Sequence, residues 1–373
     1  MSQRKMIGLV VAPGVTEALA EKIMEDVPDI LSDQNENQYE WEIDLVVDPL
    51  TGYAENVEDI FSKVQEYHDE REWDYVLAIT DLPIFHQHRV MAVDINMKNG
   101  AAIFSYPAFG WRPVKKRFKS AILTIINEVH HAEQDHRDYD ENNNIEQSIK
   151  QQFPLSKIDK TQVYLENTET HHTRYLSSSR TRGMFRLVSG MTFANNPLNM
   201  MASLSNIVAI AFTTGAFGLI FTTMWQMADN FSMWRLFGIS IIAILGMLLW
   251  IMVSHDLWES SKHSKNKRIT LLYNLTTVMT LFIAIIIYYI ILYLMFLFAE
   301  LVLLPADFLG KQISLKGPAG HDLYLSIPWF AASISTVAGA IGAGLLDEKL
   351  IKESTYGYRQ RIRYEDTHQD QDS

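Results

Sequence analysis

Residues 269–304 read ITLLYNLTTVMTLFIAIIIYYIILYLMFLFAELVLL, with no charged side chain before Glu300. At a rise of about 1.5 Å per residue this run would extend roughly 50 Å as one helix, whereas about 20 residues already cross the hydrocarbon of a bilayer. It is too long and too apolar for a surface helix of a globular domain. Three further segments of spanning length, residues 204–228, 236–253 and 327–346, share the C-terminal half with it. The sequence therefore predicts an all-α block of four transmembrane helices.

The flanks set its orientation. Arg174, Arg180, Arg182 and Arg186 precede the first span, Lys262, Lys265, Lys267 and Arg268 separate the second from the third, and Lys349, Lys352, Arg359, Arg361 and Arg363 follow the fourth. The other two loops hold only Arg235, and Lys311 with Lys316. Because basic loops stay in the cytoplasm, both termini and the middle loop are expected there, in a multi-pass protein of the plasma membrane. Trp225, Trp234, Trp250, Trp258 and Trp329 fall near span ends, where indole rings anchor at the interface.

Charge divides the chain differently from hydropathy. Residues 1–200 carry 20 Lys/Arg against 31 Asp/Glu, and residues 201–373 carry 12 against 13. An acidic N-terminal half argues against a general nucleic-acid binder, which needs clustered cations. Cysteine is absent, so disulfides, thiolate zinc sites and a Cys nucleophile are excluded. The N-terminus, MSQRKMIGLVVAPG, has too short an apolar run for a secretory signal.

Within that half, residues 5–12 read as a strand, 15–30 as a helix, 39–47 as a strand, 57–68 as a helix and 75–80 as a buried strand. Residues 90–96 and 101–106 flank Asn99-Gly100, a hairpin signal because both residues tolerate positive φ. A helix over 114–131 closes the domain. The expected fold is α/β: a mixed sheet, mostly parallel with an antiparallel hairpin, over residues 1–137. Residues 138–202 read as a polar linker followed by an interfacial segment at 183–201, residues 203–346 as the membrane block, and 347–373 as a basic then acidic cytoplasmic tail.

Candidate chemistry is sparse. Ala12-Pro13-Gly14 sits where a phosphate loop would, but matches neither G-x-G-x-x-G nor a P-loop. Asp81, His86 and His88 cluster after a parallel strand, the end of an α/β sheet where ligands bind. The spans hold almost no ionisable group, Glu300 reading as a solvated helix end, which argues against a proton-coupled transporter. Ser335, Gly339, Ala340, Gly342 and Gly344 form a small-residue face that packs either inside the bundle or against another copy, as a homo-oligomer. Arg112, Lys115, Lys116, Arg117 and Lys119 crowd the start of a helix, where the macrodipole disfavours cations; they are either a solvated face or a contact with anionic lipid heads or with an acidic patch of the same domain.

Asn127-Glu128-Val129-His130-His131, followed by His136, resembles the H-E-x-x-H helix of archaemetzincin-type zinc peptidases, and the order of elements over residues 75–137 is similar. The resemblance implies Glu128 as general base and His131 as second ligand. Asn127 stands where the first ligand would be and Arg137 where the third would be, with His136 one place short, so a related scaffold without metal or cofactor is expected. His86 and His88 are the remaining candidate ligands. WDYVLAITDLP, FSYPAFG and RLVSGMTFANNP ahead of four spans resemble a family of uncharacterised membrane proteins of Gram-positive bacteria, which implies architecture and location but no activity. The reading favoured is a non-catalytic cytoplasmic domain for interaction, scaffolding or regulation, fixed to the bilayer. A membrane-tethered hydrolase and a small-solute channel or transporter with a regulatory domain are the alternatives.

Overall fold

The computed structural model describes residues 3–34, 38–54, 57–96, 98–111, 114–135, 157–165, 170–198, 200–260, 267–342, 351–352 and 355–371. The chain divides into two compact units, Met1–Ala194 with Gln360–Ser373, and Asn195–Arg359.

The first unit is built on a mixed sheet ordered β2-β1-β3-β6-β5-β8-β7, with β4 paired to β5 off that path. The strands are β1 Gln3–Val11, β2 Tyr39–Val47, β3 Tyr75–Thr80, β4 Phe85–His86, β5 Arg89–Asn96, β6 Ala102–Ser105, β7 Ile158–Leu165 and β8 Thr170–Ser177. β1 runs parallel to β2 and to β3, and β3 parallel to β6; β5, β8 and β7 continue the sheet antiparallel. The central strand β3, YVLAIT, is buried throughout, as a continuous apolar run predicts for a strand covered on both faces. Helices α1 Val15–Met24, α2 Val27–Gln34, α3 Val57–Arg71 and α4 Val114–Asp135 connect and cover these strands.

The expected helix over 15–30 is two helices. Pro28, near the start of α2, has no N–H to continue the ladder of α1, and the chain restarts there. The expected hairpin forms with Val93 opposite Phe104 and Ile95 opposite Ala102, and Asn99 accepts from the Ala101 N–H through its side chain. A second hairpin, β4 to β5, turns through Gln87 and His88, both at positive φ.

The α/β unit does not close at residue 137. Strands β7 and β8 and helix α5, Arg180–Ala194, extend it into the segment expected to be linker. The strand over 170–177 escapes an apolar pattern search because its buried positions include His172, Thr173 and Arg174. In the segment from 183, Leu187, Val188, Met191 and Ala194 of α5 are buried and Phe185 is exposed. A Cβ at Gly190 would come within 2.0 Å of the Pro107 carbonyl oxygen, so only glycine permits this approach. Residues 138–156 lie outside the described residues.

The second unit is helical: α6 Met200–Gly218, α7 Thr222–Asn230, α8 Met233–Ser254, α9 Lys267–Leu303, α10 Ala306–Gln312 and α11 His321–Gly342. Three of these, α8, α9 and α11, are long and apolar enough to cross a membrane. The expected first span is instead α6 and α7, bent by 92° at residues 219–221, so four spans result only if that pair counts as one. The Trp225 indole N–H donates to the Leu219 carbonyl (2.8 Å), satisfying a backbone acceptor freed by the break. Helix α11 packs against α6, α8 and α9. Phe237, Ile242, Leu249 and Val253 on α8 and Phe298 and Leu301 on α9 are exposed, an apolar surface that hydrocarbon would cover.

The small-residue face of α11 is buried at Gly339 and Ala340. A Cβ at Gly339 would lie 2.5 Å from the Tyr288 hydroxyl and 3.2 Å from Ala211 and Ile207, so that part of the face packs against α6 and α9 of its own bundle. Among the described residues a Cβ at Gly342 would meet Ile210, at 3.7 Å, and Gly344 lies outside the described residues.

A last helix, α12 Tyr356–Gln371, lies in the expected tail, and from Gln360 on it belongs to the α/β unit.

Candidate functional site

The carboxyl ends of β1 and β3 lie side by side, with Ala12 N–H donating to the Ile79 carbonyl (3.1 Å). The loop after β2 folds over them as a 3-10 turn, Pro49–Gly52, because Asp48 caps it by accepting from the Leu50 N–H (2.8 Å). Thr80 donates to the Thr51 carbonyl, and its hydroxyl accepts from Leu82 N–H (3.0 Å), so the three loops are cross-linked before any ligand is considered.

At their centre is Asp81, buried, and it is engaged. Arg363 of α12 donates Nη1 to Asp81 Oδ1 (2.9 Å) and to the Gly52 carbonyl (3.1 Å), and Nη2 to Asp81 Oδ2 (3.1 Å) and to the Pro13 carbonyl (2.7 Å). Loops after β1, β2 and β3 thus each supply an acceptor to one guanidinium. The fork geometry matches a carboxylate in two places at once, which an ammonium could not do. Tyr364 packs edge-on against Tyr53 at 5.6 Å beside it.

His86 does not join Asp81. Its Nδ1 accepts from Arg174 Nη1 (2.9 Å), Arg174 Nε donates to Asp94 Oδ2 (2.7 Å), and Asp94 Oδ1 accepts from His172 Nδ1 (3.0 Å). His172 Nε2 in turn faces the Thr170 hydroxyl (3.1 Å), and Phe61 of α3 closes edge-on over the ring. Burial first, and then the charge of Arg174, hold the His86 imidazole below its ordinary pKa. The network is a neutralised polar core between β4, β5 and β8, with both nitrogens of His172 engaged. His88 is exposed in the β4–β5 turn, at positive φ.

On α4, His130 is buried against β2 and β3: its Nδ1 lies 2.8 Å from the Tyr75 hydroxyl, and Tyr39 and Trp41 pack edge-on. Asn127 donates to the Gln34 side chain. Glu128 and His131 lie on the α4 backbone, but their side chains, and His136 and Arg137 altogether, are outside the described residues. Among the described residues no group of three His, Asp or Glu side chains is placed to hold a metal ion.

The basic cluster separates by residue. Lys119 pairs with Asp26 of the same unit (2.5 Å) and holds that carboxyl below its usual range. Arg117 reaches toward the Trp111 carbonyl, Lys115 and Lys116 are exposed, and Arg112 is outside the described residues.

In the helical unit, Glu300 is not a solvated helix end: the residue is fully buried, and neither carboxyl oxygen has a hydrogen-bond partner among the described residues. Ser240, Tyr289 and Ser333 form a mutual hydroxyl cluster across α8, α9 and α11, into which Trp329 donates its indole N–H (2.6 Å).

No protein-family model, no curated protein and no solved structure matches this chain.

Proposed function

We propose that this is a multi-pass membrane protein of the plasma membrane whose α/β unit works at the inner face as a non-catalytic binding and regulatory module. The observation that carries the reading is the seating of Arg363 on Asp81, Gly52 and Pro13. Open α/β sheets take their ligands outside the carboxyl ends of parallel strands, and here that position is filled by a side chain from the far end of the same polypeptide. A site occupied in this way is a contact that another guanidinium-bearing segment competes for, and it leaves Asp81 without a free carboxylate for catalysis.

Three apolar helices of spanning length support attachment to a bilayer. The excess of Lys and Arg in the terminal and middle segments supports four crossings with both termini inside, the bent α6–α7 pair serving as one. The likeness of residues 73–83, 104–110 and 186–197 to a family of four-span membrane proteins points the same way.

Full-length protein carrying Arg363→Ala is titrated with a fluorescent synthetic peptide of residues 355–371. The peptide binds in trans at the emptied position, and Asp81→Asn in the same chain abolishes that binding. Failure of the peptide to bind the Arg363→Ala protein, or equal binding after Asp81→Asn, would contradict the proposal.

A further inference from the structure

Helix α9 places Tyr289, Tyr293, Phe296 and Glu300 at i, i+4, i+7 and i+11, which is one face of a 3.6-residue helix. That face begins at the hydroxyl cluster of Ser240, Tyr289 and Ser333 and ends at a carboxyl that no solvent reaches. Phe296, one turn before Glu300, is itself fully buried and touches Phe212, and the position of a Cβ on Gly215 lies 2.3 Å from its ring, so this end of the face points into the bundle and against α6. Among the described residues, Tyr293 on α9 and Tyr324 on α11 lie within electrostatic reach of Glu300. The neighbouring charged side chains Asp307, Lys311, Lys316 and Asp322 are exposed.

An ionised carboxylate stripped of water and of every donor is far costlier to bury than a hydrogen-bonded one. Evolutionarily cheap replacements for a mere space-filler exist, because Leu or Gln would occupy the same volume without that cost. A hard metal ion would need six or more oxygens around it, and no such convergence of carboxylates exists among the described residues. The remaining partner for the carboxyl is a proton. Intramembrane acids facing a bundle interior are the groups that proton relays use.

We infer that Glu300 is a proton-binding site of the helical unit, holding one proton on a carboxyl oxygen at neutral pH and giving it up to hydroxide only on alkaline titration. This is a second site, separate from the Arg363 contact, and neither depends on the other.

The test treats full-length protein in detergent at neutral pH with dicyclohexylcarbodiimide, an apolar reagent that adds to a protonated carboxyl, and in parallel with a water-soluble carbodiimide and an amine. One apolar adduct per chain should form, map to the peptide containing Glu300, and vanish in Glu300→Gln, while the water-soluble reagent should modify Asp307 and Asp322 and spare Glu300. Because Glu300→Gln replaces a carboxylic acid by a group of the same shape, its detergent mass should equal that of the wild type; should it fail to fold, peptide mapping of the wild type still decides. Infrared spectra of the wild type should contain a protonated-carboxyl C=O band at neutral pH that disappears on alkaline titration. Absence of the apolar adduct at Glu300, its labelling by the water-soluble reagent, or a band that persists unchanged at alkaline pH would each overturn the inference.

Discussion

Replacing Arg363 by alanine removes a pair of guanidinium donors from a carboxylate that is nearly sealed: the side chains of Arg363 and Asp81 are 11% and 2% exposed. Breaking a buried ion pair from one side costs about 3–5 kcal/mol, since the remaining charge stays in low dielectric. Two carbonyls, of Pro13 and Gly52, lose their guanidinium donors as well. The Arg363 side chain keeps some contact with solvent, so water can follow its removal, which puts the expected loss near the lower end, about 3 kcal/mol. For a unit of this size that is a fall in melting temperature of roughly 6–12 °C. Asp81→Asn removes the charge but keeps the shape, and a double-mutant cycle should return a coupling of about 2 kcal/mol or more. Hydrogen exchange of the β1 and β3 amides in the full-length protein reads the α/β unit alone. A loss below about 0.5 kcal/mol for Arg363→Ala, or additivity in the cycle, would refute the claim that this contact holds the tail on the sheet.

Gly339→Leu should destabilise the helical unit by about 1–3 kcal/mol or more through overpacking against Tyr288, Ala211 and Ile207. Gly342→Leu should be tolerated, and a change of detergent mass in Gly342→Leu alone would instead place that end of the face between copies. The depressed pKa of His86 means that the unfolded chain binds a proton more readily than the folded one. Stability of the α/β unit should therefore be complete above the ordinary histidine range and decline as pH falls through it, and His86→Gln should flatten that decline; an unchanged acid limb would count against the Arg174 contact. If Lys115 and Lys116 touch the inner leaflet, full-length protein lacking both charges should show weaker, salt-sensitive association of its α/β unit with anionic vesicles, by about 1 kcal/mol per cation. Equal association at low salt would leave these lysines as a solvated face.

Apolar patterning made most of the parallel half of the sheet legible, because β3 is buried throughout and β1 buries Ile7, Leu9, Val10 and Val11 in one short run, while the edge strand β2 showed itself by alternation. The antiparallel half was not, since β8 buries His172 and Arg174 against Asp94, with Thr173 buried between them, and so reads as polar chain. The bend between α6 and α7 was equally hidden: residues 204–228 are apolar enough to cross, and hydropathy carries no direction. At the candidate site, the position after β3 was legible from topology, and Asp81 with it, but His86 and His88 were grouped with Asp81 by proximity in sequence alone. Strand β4 sends His86 to β8 instead. Arg363 had no local signal that separates it from Arg359 and Arg361, and its role emerges only when α12 is folded back on the sheet. Glu300 was misread because distance from the middle of an apolar run is a poor guide to burial when the helix has 37 residues and overshoots the hydrocarbon.

The claim that the α/β unit lies at the inner face of a membrane crossed by the helical unit is tested most directly by cysteine accessibility, which the natural absence of cysteine makes clean. Ser314→Cys, Ser264→Cys and Glu21→Cys are each exposed to an impermeant thiol reagent in intact cells and again after permeabilisation. The account expects Ser314→Cys to label in intact cells, and Ser264→Cys and Glu21→Cys to label only once the membrane is opened. Labelling of Glu21→Cys in intact cells, or of Ser314→Cys only after permeabilisation, would contradict it.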